Sequence, residues 1–390
     1  VNSVRIVTAV ILAVLLSGCE TIGGWFEDDD YDPKAPVPLA DINETVRLKK
    51  AWSYSVGDGQ GTGFLSLRPV IAGDRLYAVS AEGELVALDI ERGRREWDRE
   101  LDIPISGGVG YHEGSLFLGG ADGLVMRLNA EDGEVIWRTS VSGEVLSPPQ
   151  GNGKVVVAQT YDGKVMAFDY ATGELKWTYA IDVPVLTLRG TGTPIIDGSN
   201  VLASFSDGKV LALNINTGGV VWEARVAIPE GRSEIERIVD IDGTMTLQGT
   251  ELFAASYQGR VVGIETRAGR KLWQRNVSAV AGVSVGFGNV YVADEDGTVS
   301  AFLRNGQGIR WQNIDLGYRG LSRPTPVSSY VAVADFEGYV HLLSQVDGQI
   351  VGRTRADSDG ARADMLSKGN RLFVFGNSGS LIAYDIQAKD

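Results

Sequence analysis

Three short patterns in this chain, together with its few cysteine and histidine residues, supply the residue types that could do chemistry. Gly282-Val283-Ser284-Val285-Gly286 has the G-x-S-x-G spacing of a serine nucleophile on a strand–turn–helix elbow. Here the pattern falls inside an apolar strand-like run before a turn, and nothing in the sequence brings His341 near it as a base. Gly57-Asp58-Gly59-Gln60-Gly61-Thr62-Gly63 has the glycine density of a phosphate-binding loop. No helical pattern follows it, so no helix N-terminus would hold the phosphate, and it reads as a flexible loop. Asp240-Ile241-Asp242-Gly243 opens like a calcium loop but lacks the later oxygen ligands and the closing glutamate. Cys19 is the single cysteine and His112 and His341 are the only histidines, so no disulfide and no structural zinc cluster is expected. The reading is therefore of a chain without catalytic residues, metal or cofactor. A net charge of −14 argues against nucleic acid as a partner.

The elements that position these residues come from an internal repeat. In Asp162-Gly163-Lys164-Val165-Met166-Ala167-Phe168-Asp169-Tyr170-Ala171-Thr172-Gly173-Glu174-Leu175-Lys176-Trp177 a period of two marks two strands. Between them Asp-x-x-Thr-Gly supplies hairpin chemistry. The first glycine recurs at Gly83, Gly123, Gly163, Gly208, Gly259, Gly297, Gly338 and Gly379. A tryptophan follows fourteen residues later at Trp97, Trp137, Trp177, Trp222, Trp273 and Trp311, whereas the seventh copy has Gly352. The eighth copy would need its tryptophan beyond residue 390, and Trp52 stands in a strand-like run with no repeat before it. Two further short strands precede each unit. The expected fold is all-β: an eight-bladed propeller of four-stranded blades, closed by the N-terminal strand around Trp52. The tryptophans are read as blade-docking residues, because regular placement serves packing rather than one site.

The N-terminus follows a different logic. Arg5 precedes the apolar run Ile6–Leu16, which is too short to span a bilayer. Leu16-Ser17-Gly18-Cys19 resembles the bacterial lipobox. That resemblance implies a signal peptide over 1–18, cleavage before Cys19 and acylation of that cysteine. Glu20, where an aspartate often retains lipoproteins in the inner membrane, implies the outer membrane. Residues 19–45 read as an acidic flexible tether and 46–390 as the propeller.

Departures from the repeat point to function. Most tryptophan-to-glycine spans take 24 to 27 residues, but the span after Trp177 takes 31, the one after Trp222 takes 37 and the one after Trp52, which uses the glycine-rich loop, also takes 31. The insertions after Trp177 and Trp222 fall on adjacent blades, and insertions on one face of a repeat protein often form its binding surface. The first contains Leu186, Leu188 and Arg189. If extended, it aims both leucines the same way, into a partner or into the blade core. The second contains Asp240 and Asp242, which share a face in a strand or else lie in a solvated turn.

The repeat resembles the tryptophan-docking unit of quinoprotein alcohol dehydrogenases. That family's vicinal disulfide is impossible with one cysteine, so a quinone-dependent enzyme is the lesser alternative, beside an envelope polysaccharide-binding propeller. The Leu-x-Leu-Arg-Gly loop at 186–190, the following Ser233-Glu234-Ile235-Glu236-Arg237…Asp240-Ile241-Asp242 and the lipobox together resemble the BamB family. These are lipoproteins of the outer-membrane β-barrel assembly (BAM) machinery. The resemblance implies a non-enzymatic scaffold, monomeric in itself and facing the periplasm. It would bind the POTRA domains of BamA through Leu186, Leu188, Arg189, Asp240 and Asp242, with unfolded outer-membrane clients as further partners.

Overall fold

The computed structural model describes residues 32–389. The expected signal peptide, Cys19 and the acidic run through Tyr31 lie outside the described residues. Thirty-two strands form eight four-stranded antiparallel sheets, and no helix occurs among the described residues. Blades 1–7 are continuous in sequence, over 70–100, 105–140, 150–180, 195–225, 246–276, 283–313 and 325–355. Blade 8 is composite: three strands from 366–388 are completed by the strand Val46–Ser55. The two terminal strands pair from Val46↔Ala388 to Ser55↔Ser380, which leaves no blade short of a strand. The alternation of four strands puts all inter-blade spans on one face of the ring, and the Asp-x-x-Thr-Gly turns on the other.

Each docking tryptophan joins its blade to the next. Trp177 Nε1 donates to the Ile215 carbonyl at 2.8 Å, Trp222 to Thr266 at 2.7 Å and Trp273 to Arg304 at 2.8 Å. Trp52, Trp97, Trp137 and Trp311 make the equivalent bonds to Ile90, Ala130, Tyr170 and Gln345. The acceptor is always the residue after the last one of the third strand, so the turn that ends one hairpin receives the preceding blade's indole. Gly218 of such a turn lies at φ +71 flat against Trp177, and a Cβ there would sit 2.6 Å from the ring. The glycine is thus required twice, for the backbone conformation and for the indole's approach.

Gly352 explains the missing tryptophan. A side chain there would meet the Val46 carbonyl at 2.7 Å, because the incoming N-terminal chain occupies that place. Residues 37–45, expected to be part of the tether, are held against blades 6 and 7. The Val37 N–H donates to Gly317 O at 2.9 Å and the Thr45 N–H to Val351 O at 3.0 Å. Arg319 reaches Val37 O at 3.1 Å and Arg353 reaches Ala40 O at 2.9 Å. These arginines are anchored by buried Asp335, which pairs with Arg319 at 2.7 Å and with His341 at 3.1 Å. His341 in turn accepts from Arg353 at 3.1 Å.

Candidate functional site in the two long spans

Spans 181–194 and 226–245 contain no strand, against the extended conformation considered for both. Pro184 and Pro229 bring no N–H to a ladder, and side chains take up part of the backbone bonding in each span. In the second span, the Arg232 and Ser233 N–H groups donate to the Glu236 carboxylate at 2.6 and 3.2 Å. The Glu236 N–H answers to Ser233 Oγ at 3.3 Å. This reciprocal closure lifts Ile235, 65% exposed, into solvent. In the first span, Tyr161 and Thr187 share a hydroxyl–hydroxyl bond of 3.1 Å, and Ser147 Oγ donates to Gly192 O at 3.2 Å.

The two spans meet side by side, as their adjacent positions in the repeat led one to expect. The Leu188 N–H donates to Asp240 Oδ2. Leu186 is 42% exposed and Leu188 half-buried, so the two do not share an environment. Val185, not singled out by sequence, is 85% exposed. Arg189 does not reach either aspartate. Its Nη2 donates to both oxygens of Glu144, at 2.8 and 2.7 Å, across the entry to blade 3.

Asp240 and Asp242 are neither a solvated turn nor an exposed acidic pair. Asp240 is 2% exposed, and its Oδ1 has no partner in the protein. Burial pushes its carboxyl up to about 7, against the pull of the Leu188 N–H. Asp242 is partly exposed as a residue, but its Oδ2 is buried without a partner. Burial first, and the neighbouring Asp240 second, raise its carboxyl well above the usual carboxylate range. Asp240 therefore acts on the first span by holding its backbone.

The inter-blade spans also converge on the ring axis. A cavity of about 270 Å³ there is lined by Arg189 and Asp242 together with Phe64, Leu146, Thr244 and Asp364. Asp364 accepts from Thr244 at 2.8 Å and lies 3.4 Å from both Arg68 and Arg323, which ties distant blades together.

The other chemical candidates resolve into structure. Ser284 is buried on the inner strand Val283–Gly286, while His341 is engaged by Asp335 and Arg353 in blade 7. The glycine-rich loop, read as flexible, is tied down over its first half. Gln60 and Gly61 N–H groups donate to Asn377 O at 3.2 and 3.0 Å, and Gln60 Nε2 to Asn377 Oδ1 at 2.9 Å.

A family model described as outer membrane protein assembly factor BamB matches residues 98–313, which include both long spans. A second, described as the β-propeller domain of glucose/ethanol/alcohol dehydrogenases, matches residues 36–145. The outer membrane protein assembly factor BamB of Pseudomonas aeruginosa is 48% identical over 352 residues, covering 90% of this chain and 93% of that protein. That of Marinobacter adhaerens is 39% identical, covering 97% and 95%. The crystal structure of BamB from Moraxella catarrhalis superposes with a TM-score of 0.79 at 29% identity, covering 87% of this chain and 99% of that one. Quinohemoprotein alcohol dehydrogenase from Comamonas testosteroni has a TM-score of 0.70 at 14% identity, covering 90% and 78%, and shares the fold alone.

Proposed function

The chain belongs to the BamB family of outer membrane protein assembly factors, and from that premise we propose that it is a non-enzymatic scaffold of the BAM complex. It sits at the outer membrane, facing the periplasm, anchored through acylated Cys19. It docks on the POTRA domains of BamA through Leu186, Leu188, Arg189 and the Asp240–Asp242 pair, and so assists the folding and insertion of outer-membrane barrels.

The observation that carries this reading is the junction of the two long inter-blade spans after Trp177 and Trp222. Asp240 fixes the backbone at Leu188, and the same short loop presents Val185, Leu186 and Arg189 to solvent. Apolar anchors beside one arginine suit a compact interface. Arg189 is preorganised by Glu144, and a partner carboxylate or carbonyl can take over its donors. The buried aspartates act from behind by shaping the loop, so the roles within the site divide between contact and support.

Capture of a purified BamA periplasmic fragment tests the assignment. Leu186→Asp and Arg189→Glu each abolish capture while the unfolding transition is retained; normal capture by both variants refutes the site. Cys19→Ala tests the anchor: the protein moves from the membrane to the soluble periplasmic fraction, and unchanged fractionation refutes the lipid attachment.

A further inference from the structure

Five buried side-chain oxygens among the described residues have no hydrogen-bond partner in the protein, and three of them belong to residues lining one cavity. They are Gln159 Oε1, Thr191 Oγ1 and Asp242 Oδ2. Native proteins leave few such groups unpaired, so three around a single space mark a built site. The cavity has a volume of about 20 Å³ and lies between the first long span, the second long span and the strands that hold Gln159 and Ser204. That is room for one particle of the size of water.

The donor inventory decides which particle. Gln159 is 3% exposed, and its Nε2 is committed to Ser204 O at 2.7 Å, so Oε1 faces the cavity as an acceptor. Asp242 Oδ2 is a second acceptor, either as a carboxylate oxygen or as the carbonyl oxygen of the acid, and the Thr191 hydroxyl can donate. One water donates to the first two and accepts from the third, which satisfies all three groups. A bare metal cation would ask for roughly six oxygens, twice the number of unpartnered oxygens at this cavity.

We propose that one ordered water binds in this cavity and clamps the docking loop at Thr191 to Gln159 of blade 3 and to Asp242 of the second span. Gln159 and Thr191 are then positioning residues: they touch no partner and hold the loop in its binding shape. This rests on the docking reading above for its functional meaning, but the clamp itself does not depend on it.

The test is a high-resolution crystal structure of the full chain, together with amide hydrogen exchange of Thr191→Val and Thr191→Ser. The expected density is one peak about 2.7–3.0 Å from all three oxygens. An empty cavity, a direct bond between Thr191 and either acceptor, or a peak with about six oxygens near 2.4 Å overturns the proposal. Valine keeps the shape and removes the hydroxyl, so exchange of the Leu188 amide quickens about tenfold and capture of the BamA fragment weakens by a similar factor. Serine restores both. Exchange in Thr191→Val equal to that of the parent also overturns the clamp. If the valine variant fails to fold, the density in the parent and in Thr191→Ser decides. Faster exchange in a protein whose parent form captures no BamA fragment leaves the clamp standing and removes the docking reading.

Discussion

The tryptophan docks and the two long spans are built from the same repeat, yet they treat polar groups in opposite ways. At the docks, every indole N–H among the seven finds a carbonyl of the next blade. At and beside the long spans, Gln159, Thr191, Asp240 and Asp242 account for four of the five buried side-chain oxygens left without a protein partner among the described residues. The docks are optimised for holding the ring. The spans keep polar capacity in reserve, which is where a protein built for binding is expected to depart from local consistency.

The sharpest way to break this contrast is to damage one dock. Trp177→Ala removes a buried indole beside Gly218 and destabilises the protein by about 3–5 kcal/mol in denaturant unfolding. A loss below about 1 kcal/mol would put the docks on a par with surface positions. Trp177→Phe keeps most of the packing and orphans the Ile215 carbonyl. It should cost about 1–3 kcal/mol, which isolates the hydrogen bond.

The spans answer to pH instead. Asp240 at about 7 in the folded protein lies above its unfolded value of 3.8, so the native state keeps a proton that the unfolded chain releases. The stabilisation is complete below the unfolded value and is lost as pH rises to about 7. Asp240→Asn, which still offers an oxygen to the Leu188 N–H, should flatten that decline in a series of urea midpoints. An unchanged slope would move its origin elsewhere. The smallest effect belongs to the exposed rim: Leu186→Asp should alter stability by less than about 0.5 kcal/mol although it removes capture. A large loss of stability there would merge the two regions into one.

Most of the ring was legible because its physics repeats. Glycine and tryptophan return at a fixed offset wherever an indole meets a turn, and Trp52 without a preceding repeat betrayed the closing strand. The long spans were legible as lengths, and their adjacency followed from blade order. Their interior was not. Alternation suggested strands, whereas prolines and side-chain-to-backbone bonds make irregular loops. Glu144 lies 45 residues before Arg189 with no local pattern linking them, so that pair had no sequence signal. The burial of Asp240 depends on packing beneath a neighbouring span and was likewise hidden. One signal was available and unread: the absent tryptophan at Gly352 marked the place where residues 37–46 press against blade 7.

That segment has a mechanical consequence. Val37 is bonded to Gly317, in the span between blades 6 and 7. Tension arriving along the segment loads the bonds at Val37, Ala40 and Thr45 in turn before it reaches Val46↔Ala388, the outermost rung of the closing ladder. The strap works as strain relief for a non-covalent seam, held by the terminal ladder and by the buried packing of Val46, Leu48 and Trp52, so a pull on residues 37–45 is absorbed outside it.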